Sequence, residues 1–78
     1  MLAPALEHLV KGIVDHPDEV TVAAKSSARG EVLEVRVHPD DLGRVIGRAG
    51  RTAKALRTLV SALADGRSVR VDVVDTDF

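Results

Sequence analysis

Val45-Ile46-Gly47-Arg48-Ala49-Gly50-Arg51 is the stretch that decides how this chain folds. Two glycines flank two residues, with apolar residues before them and a cationic segment after. Val45-Ile46 closes a brief helix, because glycine can take the left-handed conformation that ends one. A second helix starts near Gly50, where the missing side chain lets another backbone come close. The free N–H groups of that helix's first turn point into the gap, and the helix dipole is positive there. Arg48 and Arg51 add mobile charge on either side of Gly50. A bend so equipped suits an anionic, phosphate-bearing partner, and Ile46 supplies an apolar neighbour.

Outward from the bend, both flanks read clearly. Upstream, Pro39 fits a first helical position after His38, and Asp40 and Asp41 lie where the dipole favours negative charge. Downstream, Ala53, Leu56, Leu59, Val60 and Leu63 share one helix face, with Arg51, Lys54, Arg57 and Ser61 on another. Asp65-Gly66 predicts a glycine cap for that helix. Val69, Val71 and Val73 alternate with Arg70 and Asp72, the period-two pattern of a strand. Leu33, Val35 and Val37 alternate likewise, and Val20 to Ala24 forms another strand, joined to it through a polar turn from Lys25 to Gly30. At the N-terminus, Leu2, Leu6, Leu9, Val10 and Ile13 recur at helical spacing, predicting an amphipathic helix over 2–14 that stops before His16-Pro17. Residues 75–78 read as an acidic tail.

The order is therefore helix, strand, strand, helix, helix, strand, within one domain over 1–78. The apolar faces of three helices cover one face of a three-stranded sheet, a two-layer α+β architecture. A chain of 78 residues has room for one small core. Its composition, 45% hydrophobic and 29% charged, is that of a globular protein. With no cysteine there is no disulfide framework, thiol nucleophile or thiolate zinc site. No apolar run reaches the ~18 residues of a membrane span. Glu7 and Lys11 interrupt any signal-peptide core, so a cytoplasmic protein is expected.

Charge is segregated. Arg44, Arg48, Arg51, Lys54 and Arg57 lie between Leu42 and Ala64 without an acid, while the rest of the chain holds all 12 acidic groups and six of the 11 basic ones. A cationic segment on an acidic body points to a polyanion. With no Trp or Tyr, and Phe78 as the single Phe, its recognition cannot rest on aromatic stacking.

The run Val45-Ile46-Gly47-Arg48-Ala49-Gly50 resembles the I-G-x-x-G signature of the KH domain, a module that clamps about four nucleotides of single-stranded RNA over its GXXG loop. With Arg51-Thr52-Ala53-Lys54-Ala55-Leu56-Arg57-Thr58-Leu59-Val60 behind it, and across essentially the whole chain, the sequence is similar to the KhpA-like family of small bacterial single-KH proteins. The element order αββααβ resembles the type II form. The resemblance implies non-catalytic RNA binding with no cofactor, in an RNA-chaperone or post-transcriptional role linked to cell shape. It implies Gly47, Arg48, Ala49 and Gly50 as the backbone-contacting loop, Arg51 and Lys54 beside it, and Val45 and Ile46 in an apolar groove. Arg44 and Arg57 are more distant candidates, and the strand side of the groove is assigned to Leu33–Val37. It also implies pairing with a second copy or with a larger KhpB-like protein.

Other readings are weaker. A DNA-reading helix-turn-helix would use the basic helix but has no need of three strands. A nucleotide-binding enzyme would need four residues between its glycines and a Lys before Ser/Thr, where Gly47 to Thr52 has two residues and an Arg. An adaptor domain would use the Leu2-Leu6-Leu9-Ile13 edge, which the core also claims. His8, His16 and His38 lack metal-ligand spacing, Ser26 and Ser27 lack an activating base, and Asp18-Glu19 and Asp40-Asp41 read as helix-start and solubility charges. Neither a catalytic constellation, a metal site nor a small-molecule substrate is expected.

Overall fold

The computed structural model describes residues 2–74; the acidic tail at 75–78 lies outside them. Leu2, Leu6 and Val10 fall four residues apart and make the buried stripe of α1 (Leu2–Lys11). Pro4 sits in the first turn, where no intrahelical amide is needed, and a Glu7–Lys11 ion pair of 3.1 Å spans one turn on the outer side. α1 is shorter than the predicted 2–14. Gly12 donates to the carbonyls of His8 and Leu9 and Ile13 to that of Val10, so the helix unwinds in tight turns and leaves Ile13 37% exposed.

A 3₁₀ turn at Pro17–Glu19 leads into β1 (Thr21–Ser27), which pairs antiparallel with β2 (Gly30–Arg36). The hairpin is longer than expected. Lys25, Ser26 and Ser27 stay in register with Val32, Glu31 and Gly30, so only Ala28 and Arg29 turn the chain. β3 (Val69–Val73) pairs parallel with β2, giving the order β1-β2-β3 with β2 in the centre. A 3₁₀ turn at Pro39–Asp41, α2 (Leu42–Ile46), a 3₁₀ turn at Arg48–Gly50 and α3 (Arg51–Ala64) make the crossover between them. The predicted αββααβ order of a type II KH fold is thus the observed one.

All three helices lie on one side of the sheet. Leu6, Val10, Leu33, Val35 and Val45 are fully buried there, closed by Leu56, Val60 and Val71. α3 differs from expectation on its apolar face. The buried stripe is Ala53, Leu56, Val60 and Ala64, whereas Leu59 and Leu63 are 48% and 55% exposed. At 100° per residue they fall on the shoulder of the stripe. The left-handed cap of α3 is Asp65 itself (φ 51°, ψ 59°), with Gly66 also at positive φ; a short polar side chain tolerates that conformation.

Asp41 is the one buried charged residue among those described. Its carboxylate accepts from the amides of Asp15 (3.2 Å) and His16 (2.9 Å) and from His16 Nδ1 (3.0 Å). It is therefore a clamp between the α1–β1 linker and the start of α2, and not the solubility charge that its position in the sequence implied. His38, by contrast, caps its turn as read, its Nδ1 accepting from the Asp40 amide at 3.0 Å.

Candidate nucleic-acid interface

α2 has only five residues, so its placement depends on its two ends. Asp41 fixes one. Val45 anchors the other by filling the core, which takes it out of any open groove and makes it a support from beneath. Ile46, next in sequence, is 39% exposed. The Gly47 amide then donates to the Gly43 carbonyl at 2.8 Å and closes the helix.

The bend that follows holds three residues, at positions 47, 49 and 50, with strained or glycine-only geometry. Gly47 (φ 79°, ψ 170°) lies beyond the left-handed helical well, in a region that is essentially glycine's alone. Ala49 (φ 57°, ψ 25°) and Gly50 (φ 75°, ψ 15°) are left-handed. Gly47 ends α2 at positive φ as expected, but the close approach expected at Gly50 falls at Gly47 instead. A β-carbon on Gly47 would collide with the Thr52 side chain and lie 2.7 Å from the Thr52 amide nitrogen, while one on Gly50 would meet nothing within 4 Å. Gly47 is held to glycine by both its backbone conformation and close approach, and Gly50 by backbone conformation alone.

Not every amide of the bend is free. Gly50 donates to the Gly47 carbonyl at 3.1 Å and Arg51 to that of Arg48. The amides of Arg48 and Ala49 are not tied into these turns, and both residues are exposed. They sit at the positive end of α3, a helix of 14 residues. Arg48, Arg51 and Lys54 are exposed and form no ion pair among the described residues.

The two more distant cations separate. Arg44 turns away to Asp15, at 3.2 Å, and its charge is partly spent on that partner. Arg57 donates from Nε to the Val71 carbonyl at 3.4 Å, so it bridges α3 to β3. On the α3 wheel Lys54 lies on the same side as Arg57, and Leu59 and Leu63 on the other. The strand beside this cationic flank is β3, an edge strand. Leu33, Val35 and Val37, expected on the strand side of the groove, belong to or follow the central strand and point into the core.

Sequence reasoning missed the Asp41 clamp because adjacent acids before a helix look like dipole charges; nothing local marks one of them as buried. Its hydrogen bond raises the His16 pKa above the usual 6.5. Burial pushes the Asp41 carboxyl up, but the hydrogen bonds from Asp15 and His16 outweigh it and hold the group below the usual carboxylate range. His16, His38 and Asp40 bring potential donor atoms within 4.8 Å of one another. The two imidazoles, however, are stacked with centroids 4.0 Å apart and planes 12° from parallel. Their in-plane lone pairs do not converge on one ion, and the pair serves the clamp.

Comparison with known proteins gives a consistent result. The family model described as KhpA/KhpB, KH domain, matches residues 4–74. A Leifsonia xyli protein named RNA-binding protein KhpA is 85% identical, over 96% of this chain and 99% of its own. Proteins of the same name from Streptomyces coelicolor and Mycobacterium tuberculosis are 71% and 64% identical, each over 99% of this chain and 96% and 95% of theirs. No solved structure matches. No helix among the described residues is long and apolar enough to cross a membrane.

Proposed function

The chain belongs to the KhpA/KhpB KH-domain family, and from that membership we propose that it binds single-stranded RNA through the Gly47–Gly50 loop without catalysing a reaction. What carries the reading is the pair of exposed, untied amides at Arg48 and Ala49, set at the positive end of α3 beside three cations with no carboxylate partner among the described residues. The amides and the Arg48 guanidinium grip the sugar–phosphate backbone, and Arg51 and Lys54 neutralise the neighbouring phosphates. Bases lie toward Ile46 and the flank between α3 and β3, where Arg57 marks the edge. Aliphatic contact replaces stacking, at the loss of about 1–3 kcal/mol per base.

With about four phosphate contacts, the affinity should fall with salt at a log–log slope near −3. Such binding by a monomer is weak and poorly selective, which suits a cytoplasmic RNA chaperone or post-transcriptional regulator. Tight binding then requires a second module. Leu59 and Leu63, exposed on the shoulder of α3 away from Arg57, offer an apolar surface for another copy or for a KhpB-like partner.

The double substitution Arg48→Asp with Ala49→Asp tests the grip. Aspartate tolerates the left-handed conformation of residue 49 better than alanine does, and both positions are exposed, so the fold should persist while RNA binding is lost. Unchanged binding would remove the loop from the mechanism. Preference of the wild-type chain for duplex DNA over single-stranded RNA would favour the helix-turn-helix reading instead.

A further inference from the structure

At the pole opposite the Gly47–Gly50 loop, about 21 Å away along the 14 residues of α3, the hairpin tip meets the loop between α3 and β3 around a small cavity of about 120 Å³. Ser27, Arg29, Glu31, Ser68 and Arg70 line it. The two loops are fastened together. The Glu31 amide donates to the Ser68 carbonyl at 2.9 Å, and Ser27 Oγ donates to the Gly30 carbonyl at 3.0 Å. A β-carbon on Gly30, at φ 125°, would sit 2.8 Å from Ser68 Cβ. The walls are therefore held before any ligand arrives, which lowers the ordering cost of binding.

Neither Arg29 nor Arg70 has an ion-pair partner among the described residues. Arg67, adjacent in sequence to Ser68, donates from Nε to the Ala64 carbonyl at 3.3 Å and is not part of the lining. Glu31 is the one opposing charge in the lining. Ser27 Oγ is committed to the hairpin turn, so two guanidinium groups and the Ser68 hydroxyl face a space whose size matches a phosphate group, which guanidinium binds in a planar fork.

We propose that this cavity is a second phosphate subsite, occupied by a phosphodiester of an RNA strand longer than the loop alone can hold. The inference rests on the RNA-binding reading above. The strand leaves the Gly47–Gly50 clamp, follows the edge of β3 past Arg57, and reaches Arg29 and Arg70. Glu31 limits the affinity of the subsite, so that long strands are held without being trapped.

The experiment compares single-stranded RNAs of roughly four and roughly 12 nucleotides, of one composition, by fluorescence anisotropy on the full chain. Salt is varied between about 50 and 200 mM. Two added phosphate contacts steepen the log–log slope for the long RNA by about 1.4, so it loses about sevenfold more affinity across that range than the short one. Arg29→Ala with Arg70→Ala, checked for an unchanged melting temperature, should remove this difference and leave the short RNA unaffected. Glu31→Gln should tighten the long RNA only. Lys25→Ala with Arg36→Ala, which removes the same charge from the open sheet face, should leave the difference in place. Equal slopes for the two RNAs in the wild-type chain, or a steep slope surviving in Arg29→Ala/Arg70→Ala, would overturn the subsite. Failure of the short RNA to bind counts instead against the loop clamp, and the two-arginine comparison on the long RNA still decides the subsite.

Discussion

Alanine at Gly47 and alanine at Gly50 form a pair of substitutions with the same chemistry and different expected costs. At Gly50 (φ 75°, ψ 15°) the added methyl enters open space, so the penalty is that of a left-handed L-residue, about 1–2 kcal/mol. At Gly47 the backbone lies at φ 79°, ψ 170°, outside even that well, and the methyl also strikes Thr52 at both its side chain and its amide nitrogen. Because Thr52 is in the first turn of α3, its backbone cannot retreat without moving the helix. We expect at least ~3 kcal/mol there, adding conformational strain and an overpacking cost of about 1–3 kcal/mol. Urea unfolding reads the difference directly. With a slope of about 1 kcal/mol/M for a domain this small, the midpoint falls by about 1–2 M for Gly50→Ala and by about 3 M or more for Gly47→Ala. Combining Gly47→Ala with Thr52→Gly removes the side-chain part of the collision, and should return part of the loss relative to Thr52→Gly alone. Equal midpoints for the two alanine variants would refute the assignment of close approach to Gly47.

Three further outcomes follow from the same geometry. Leu33→Ala, at a fully buried position in the central strand, should destabilise by about 2–5 kcal/mol in urea unfolding, whereas Leu59→Ala on the exposed shoulder of α3 should cost well under ~1 kcal/mol. Because the His16 pKa is raised by Asp41, its ion pair stabilises the fold below the ordinary value of 6.5 and fades as pH rises through the raised one. Thermal melts from about pH 6 to pH 8.5 should show that decline, and His16→Gln should flatten it. Leu59→Asp with Leu63→Asp should abolish concentration-dependent self-association in light scattering while leaving the monomer folded; dimers that persist would place the pairing surface elsewhere.

Much of this molecule is legible in its sequence because local signals agree with the global fold. Alternating valines at 69–73, the alternating Leu33, Val35 and Val37, a Gly-x-x-Gly bend and three amphipathic segments leave few arrangements for so short a chain. What was not legible depended on tertiary choice. Leu59 and Leu63 look like core on a helical wheel. A domain with one thin apolar layer buries only the stripe that faces the sheet, and Ala53 and Ala64 take those positions. Asp41 reads as a dipole charge until the Asp15–His16 segment is seen to fold over it. The groove's strand side was assigned to Leu33–Val37, yet the alternation there marks a face buried in the core. β3, the free edge, is the one beside Arg57. At the loop itself, Gly47 and Gly50 were both recognised, but that Gly47 is the one needing space follows only from where Thr52 sits.

The central claim is that the tip between Gly47 and Gly50 is where RNA is held, and amide chemical-shift mapping tests it most directly. Adding a short single-stranded RNA to the ¹⁵N-labelled chain should produce its largest shifts at the amides of Arg48 and Ala49, with smaller ones at Arg51 and Lys54. Little change is expected along the outer side of α1. Shifts concentrated away from the loop, with Arg48 and Ala49 unmoved at saturation, would contradict the account.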